Sequence, residues 1–292
     1  MEITANMVKE LRETSGAGMM DCKKALSECN GNMEEAMNYL REKGIAKSAK
    51  KESRIAAEGL ANIFVDGNKA IILEVNSETD FVSKNEEFTN MIRVIGLALL
   101  NSNAKTLEEA NEVITENGKV SDYIISMVAK IGEKLSLRRF EIVEKNDNET
   151  FGNYLHMGGK IAALTVVTNV SDEVARDVSM QAAAMKPLYL NAEEVPEDVL
   201  EQERKIQKEL AMNEGKPAEI AEKMVEGRIK KFYKEVCLIE QAFVKDGDLS
   251  VKDFVANNGG EVIKMIRYEV GEGMEKRSDN FAEEVMNQVK GN

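Results

Sequence analysis

The chain has 292 residues, enough for two or three domains, and 43% of them are hydrophobic, so it can bury real cores. Its net charge of −13, from 52 acidic against 39 basic side chains, argues against DNA or RNA as a primary ligand, because nucleic-acid binders carry a basic footprint. The start Met1-Glu2-Ile3-Thr4 lacks a secretory pattern, and the longest apolar stretch (Val94–Leu100) is far short of the roughly 20 residues that span a bilayer. An odd cysteine set (Cys22, Cys29, Cys237) without a C-x-x-C pair then fits a reducing cytoplasm.

In chain order, residues 1–45 read as three short helices. Thr4 can cap the first, which carries Met7, Val8 and Leu11 on one face and stops near Gly16. The second places Cys22, Ala25, Leu26 and Cys29 at helical spacing and ends at Asn30-Gly31. The third opens with Asn32 and Glu35, a variant capping box, buries Met33, Ala36, Met37 and Leu40, and ends at Gly44. Residues 46–57 are basic, have no apolar stripe, and read as a solvated linker or frayed helix, with a nucleic-acid arm as the lesser alternative.

From residue 58 the pattern turns to β. Ile63-Phe64-Val65, the turn Asp66-Gly67-Asn68 and Ala70–Val75 predict a hairpin, followed by a helix from Ser83 with Glu86 completing a capping box. Further helix is expected over 106–117 and 121–134, and a strand over 135–143. A weak second copy begins near 150: Gly158-Gly159-Lys160, Leu164 and Val166 match Gly67-Asn68-Lys69, Leu73 and Val75. The first copy has three more residues between strand and helix, and they fall in the loop that holds Thr79-Asp80-Phe81-Val82.

Pro187 ends a helix over 173–186, while Pro196 and Pro217 open helices over 197–213 and 217–232. These two predict an antiparallel hairpin in which Val199, Ile206 and Leu210 face Ile220, Met224 and Phe232. A strand over 262–270, a Gly-Glu-Gly turn and a helix over about 279–290 close the chain.

Chemistry-bearing motifs are scarce. His156 is the sole histidine and with three scattered cysteines makes no zinc site of ordinary spacing. Gly16–Lys24 lacks phosphate-loop spacing, and neither a nucleophile elbow nor a dinucleotide fingerprint occurs. No catalytic residue, metal or cofactor is therefore expected. Two features stand out. Met19 and Met20 lie outside the buried stripe and either contact a partner or pack beneath the helical module. Phe81, beside Glu78 and Asp80, either packs over the sheet or against Phe88, which the local pattern favours, or meets a partner.

Several runs resemble the elongation factor Ts family. They are Lys9–Arg12 with Thr14 and Gly16–Leu26, Leu73–Asn76 followed by Thr79–Val82, and Val128–Glu133. Lys186-Pro187, Gly215–Pro217, Ile220–Arg228 and Glu269–Gly273 continue the match in order over essentially the whole chain.

The resemblance implies an α+β, non-enzymatic guanine nucleotide exchange factor for the GTPase elongation factor Tu, acting in the cytoplasm without direct nucleic acid or membrane contact. It implies a UBA-like module (1–45), a basic linker (46–57) and two related core subdomains with antiparallel sheets (58–147, then 148–186 with 233–275). A protruding coiled-coil hairpin (187–232) and a C-terminal helical module (276–292) complete the expectation. It assigns Arg12, Met19 and Met20 to contact with the GTPase domain, and Thr79, Asp80, Phe81 and Val82 to displacement of the partner's magnesium. Ile131, Gly132 and His156 fall to the surface that perturbs the partner's phosphate loop. A homodimer or a 2:2 complex is left open, and a peptide-docking adaptor is the competing class.

Overall fold

The computed structural model describes residues 3–15 and 17–275. Three helices come first: α1 (Ala5–Ser15), α2 (Met19–Glu28) and α3 (Met33–Ala49). Their boundaries follow local chemistry. Thr4 Oγ1 accepts from Met7 N, and Asn32 Oδ1 accepts from Glu34 N and Glu35 N. Between α2 and α3, Asn30 is left-handed (φ 49°). Gly31 N donates to Leu26 O and Asn30 N to Ser27 O, which closes a Schellman motif. Val8, Leu11, Cys22, Ala25, Leu26 and Ala36 form the module's buried set.

Helix α3 does not stop at Gly44 as expected; it runs on to Ala49. A Cβ at Gly44 would lie 3.7 Å from the Ala129 Cβ, so this glycine marks a helix-packing surface and the stop signal is overridden.

The hairpin β1 (Glu58–Asp66) and β2 (Lys69–Ser77) follows, turning through left-handed Gly67 (φ 56°). Next come α4 (Glu86–Leu100), α5 (Leu107–Glu112), the small hairpin β3 (Ile114–Thr115) and β4 (Gly118–Lys119), α6 (Val120–Ile131) and β5 (Ser136–Glu144). The helix expected over 106–117 is shorter because Gly118 (φ 94°) turns the chain into that hairpin. Helix α4 buries Phe88, Met91, Ile92, Ile95 and Leu99 completely. The first sheet has the order β1-β2-β5.

A second hairpin, β6 (Glu149–His156) and β7 (Ile161–Thr168), precedes α7 (Asp172–Met185). Gly152 lets α7 approach, since a Cβ there would strike the Ala175 carbonyl. After α8 (Glu197–Asn213) and α9 (Ala218–Val236) come β8 (Ala242–Phe243), β9 (Asp246–Ser250), α10 (Val251–Asn257) and β10 (Val262–Glu269). Strand β10 returns to pair antiparallel with β7, from Val262↔Val167 to Glu269↔Ile161. Both three-stranded sheets thus centre on the second strand of a hairpin, with the third strand arriving after helices.

In the α8–α9 pair the buried seam is Leu200, Ala211, Ala221, Val225 and Ile229. Ile206, Leu210 and Ile220, expected to face across it, are exposed, while Val199 and Phe232, also expected there, pack half-buried against it; along most of the pair the buried seam lies one position further along each helix. The opposite flank is laced by Arg204–Glu226 (3.1 Å) and Lys208–Glu222 (2.6 Å). The terminal helix expected over about 279–290 lies outside the described residues.

The protein is α+β, with several small antiparallel sheets and ten α-helices among the described residues. It divides into two compact units. One comprises the described residues up to Leu60, Leu73–Phe140 and those from Val270; the other comprises Ala61–Ile72 and Glu141–Glu269.

Candidate functional site

The connection from β2 to α4 runs through residues 78–85, eight positions, where the counterpart from β7 to α7 uses three, 169–171; the excess is five residues rather than the expected three, because α4 starts at Glu86 and not at Ser83. A long connection is ordinarily a loose one. Here its polar groups are met one by one. Ser77 Oγ donates to Thr79 O (3.0 Å), Ser83 Oγ to Asp80 O (2.6 Å) and Lys84 N to Phe81 O (3.2 Å). Val82 is buried beneath a short 3-10 turn, Val82–Lys84.

Side chains from elsewhere in the same unit hold the loop from outside. Glu133, just beyond α6, receives Thr79 N on one carboxylate oxygen (3.0 Å) and Thr79 Oγ1 on the other (2.7 Å). Glu78 accepts from Lys134 N (2.6 Å) and from the Arg54 guanidinium (3.2 and 3.3 Å). From the basic stretch after α3, Lys51 Nζ donates to Gly132 O, and Lys134 Nζ donates back to Glu52 O.

Phe81 stands at the top, 79% exposed. It packs neither over the sheet nor against Phe88, which is fully buried in α4. Asp80 beside it is exposed, and its carboxylate has no hydrogen-bond or ion-pair partner among the described residues. The helix cap also differs from expectation: Asn85, not Ser83, caps α4, its Oδ1 accepting from Glu87 N (2.8 Å) and Phe88 N (3.3 Å). Ser83 serves the loop instead.

Thr79–Val82 therefore share one hydrogen-bonded node with the end of α6. There Ile131 is half-buried and Gly132 (φ 90°) is the left-handed cap. Arg12 is exposed in the last turn of α1, and Met19 (58% exposed) and Met20 (74%) project from the first turn of α2 in the same unit. His156 lies in the other unit, half-buried at the end of β6 and stacked 6.2 Å from Tyr154. Four bracing residues, Arg54, Glu78, Glu133 and Lys134, were missed from sequence. Glu133 ends the Val128–Glu133 run, but charge alone does not show which backbone amide a carboxylate meets.

Among the described residues no His, Cys, Asp or Glu group is arranged to hold a metal ion, and no helix is long and apolar enough to cross a membrane. Fold and site define a class of α+β protein that holds an aromatic side chain out on a braced loop, an arrangement suited to docking rather than to enclosing a ligand. A family model described as elongation factor TS matches residues 78–272, and the chain belongs to that family. The family acts in nucleotide exchange during translation elongation, in partnership with elongation factor Tu.

Proposed function

We propose that this chain binds the GDP complex of elongation factor Tu, disturbs its magnesium and phosphate site, and releases GDP so that GTP can load. The observation that carries this reading is Phe81, 79% exposed beside an Asp80 without a partner among the described residues, on a loop held at Thr79 by Glu133 and at Glu78 by Lys134. An apolar ring held in water lacks the burial that would stabilise it within its own chain and is available to a partner.

The need for such a device is kinetic. A GTPase holding nucleotide at nanomolar affinity with ordinary on-rates releases it at roughly 10⁻³ s⁻¹. Protein synthesis runs at about 5–20 residues per second, so a coupling free energy of a few kcal/mol must come from outside. Magnesium bridges phosphate oxygens and neutralises their repulsion. In this reading Phe81 wedges apart the elements that position the metal's water ligands, while Asp80 disturbs that shell electrostatically. Coupling is reciprocal, so incoming nucleotide weakens the complex and the factor recycles.

The helical module 1–45 docks through Arg12, Met19 and Met20, and Ile131, Gly132 and His156 bear on the phosphate-loop side. The α8–α9 hairpin forms the protruding coiled coil, and the cytoplasm is the compartment. Release of labelled GDP from elongation factor Tu, with and without this protein at micromolar concentration, tests the proposal. Acceleration supports it; an unchanged release rate overturns it.

A further inference from the structure

The hold on Thr79 by Glu133 has a geometry that ordinary loop packing does not need. Both carboxylate oxygens are spent on one residue, one on the backbone N–H and one on the hydroxyl, so position and rotation of Thr79 are fixed together. Two residues later comes Phe81, whose ring makes no burial of its own to decide where it stands. Glu133 follows directly on the left-handed cap Gly132, and Lys134 directly after it donates its backbone N–H to Glu78. The chain segment 132–134 thus grips residues 78 and 79 in register.

We propose that Glu133 is a positioning residue for nucleotide exchange, setting where Phe81 stands by clamping Thr79. Glu78 is the second point of the same clamp, and Arg54 brings the stretch between α3 and β1 onto it (3.2 Å). The end of α6 serves as the rigid base: α6 buries Val120, Tyr123, Ile124, Met127 and Val128, so a displacement at residue 133 is resisted by a packed helix. This inference rests on the reading of Phe81 as the wedge.

A wedge held by two anchors is precise; with one anchor removed it samples positions that bind the partner surface but do not reach the metal. Glu133→Ala is therefore expected to lower the saturating rate of GDP release about tenfold, equivalent to about 1.4 kcal/mol. The dissociation constant for elongation factor Tu should change by less than about threefold, a difference of roughly 0.7 kcal/mol in binding. Glu133→Gln, whose carbonyl still accepts from Thr79 N–H, should recover most of the rate.

The decisive measurement is a double-mutant cycle with Phe81→Ala, read as saturating GDP release by stopped flow on the full-length protein. If Glu133 acts through Phe81, Glu133→Ala slows release in the native background and adds nothing in the Phe81→Ala background. Equal slowing in both backgrounds, or no slowing in either, overturns the proposal while leaving the wedge intact. If Phe81→Ala alone leaves release unchanged, the wedge reading itself has failed. Thr79→Val, which removes only the hydroxyl contact, covers the case in which Glu133→Ala does not fold. It should slow release by about threefold in the native background only, and an unchanged rate counts against the clamp.

Discussion

A phenylalanine left 79% exposed forgoes most of the ~1.5–3 kcal/mol that burying such a side chain contributes. Phe81→Ala should consequently change unfolding free energy by no more than about 0.5 kcal/mol while slowing GDP release at retained binding. Urea unfolding and release kinetics on the same sample check both halves, and a large stability loss would show that the ring is packed. Residue type and local pattern favour a packed Phe81, and the structure overturns that, since hydrophobicity sets a preference for burial without saying what covers the ring. The converse case is Glu74, placed by pattern in a strand and found fully buried. Burial pushes its carboxyl up. The Gly271 N–H (2.9 Å), Arg138 (2.9 Å) and Arg139 (2.6 Å) outweigh that and hold it below the usual carboxylate range. A depressed folded value means stability that is present above the unfolded glutamate value, about 4.3, and lost as pH falls through the folded one. Glu74→Gln should therefore cost about 2–3 kcal/mol at neutral pH, under the range for a fully buried pair because the guanidiniums stay partly hydrated. The gap from wild type should narrow below about pH 4. A gap constant from pH 7 to 3 would mean that Glu74 is already protonated in the fold.

At the scale of elements, legibility tracked how local the deciding interaction is. Asn32 is readable as a helix start because a cap is settled within three residues, and Pro196 and Pro217 because a helix start tolerates their missing N–H. The stop at Gly44 failed because α3 packs on a surface more than 80 residues away in sequence, which the local pattern does not contain. Strands β8 and β9 and helix α10 were not anticipated, being short pieces ordered by contacts such as the Phe243–Phe254 stack (4.0 Å). The seam of the α8–α9 hairpin was misplaced for another reason: each helix carries two adjacent apolar stripes, and only the pairing partner decides which is buried. This gives a direct test. Ile229→Ala, at the buried seam, should cost about 2–4 kcal/mol, whereas Ile220→Ala, 48% exposed, should stay within about 0.5 kcal/mol. Similar losses at both positions would place Ile220 in the core after all. Asn85→Ala should likewise cost about 1 kcal/mol through α4, because Asn85 and not Ser83 receives the helix N–H groups. Thermal melts of the Asn85 and Ser83 alanine variants distinguish the two caps.

For the whole molecule, the two compact units each hold one buried thiol, so chemistry can report on each separately. Cys22 sits with Val8, Leu11 and Leu26 in the helical module; Cys237 sits with Val195, Leu200, Val225 and Ile229 at the root of the hairpin. Burial pushes the Cys237 thiol up to about 11. At pH 8 its reactive thiolate is therefore scarce even where reagent can enter. Cys29 is only half-buried and should be alkylated first. Cys22 should follow, because the module's buried set among the described residues is six side chains, two of them alanines, and so small a core opens at low free energy. Cys237 should react last. Alkylation by iodoacetamide at pH 8 in rising urea, with each cysteine followed by mass spectrometry, gives the order; Cys237 reacting before Cys22 would contradict it. Val8→Ala sharpens the test. It trims the module's core without touching the second unit, so it should speed Cys22 by about tenfold for each 1.4 kcal/mol lost and leave Cys237 unchanged. Joint acceleration of both thiols would instead mean that the two units open as a single cooperative structure. The loop 78–85 would then be only as stable as the whole chain.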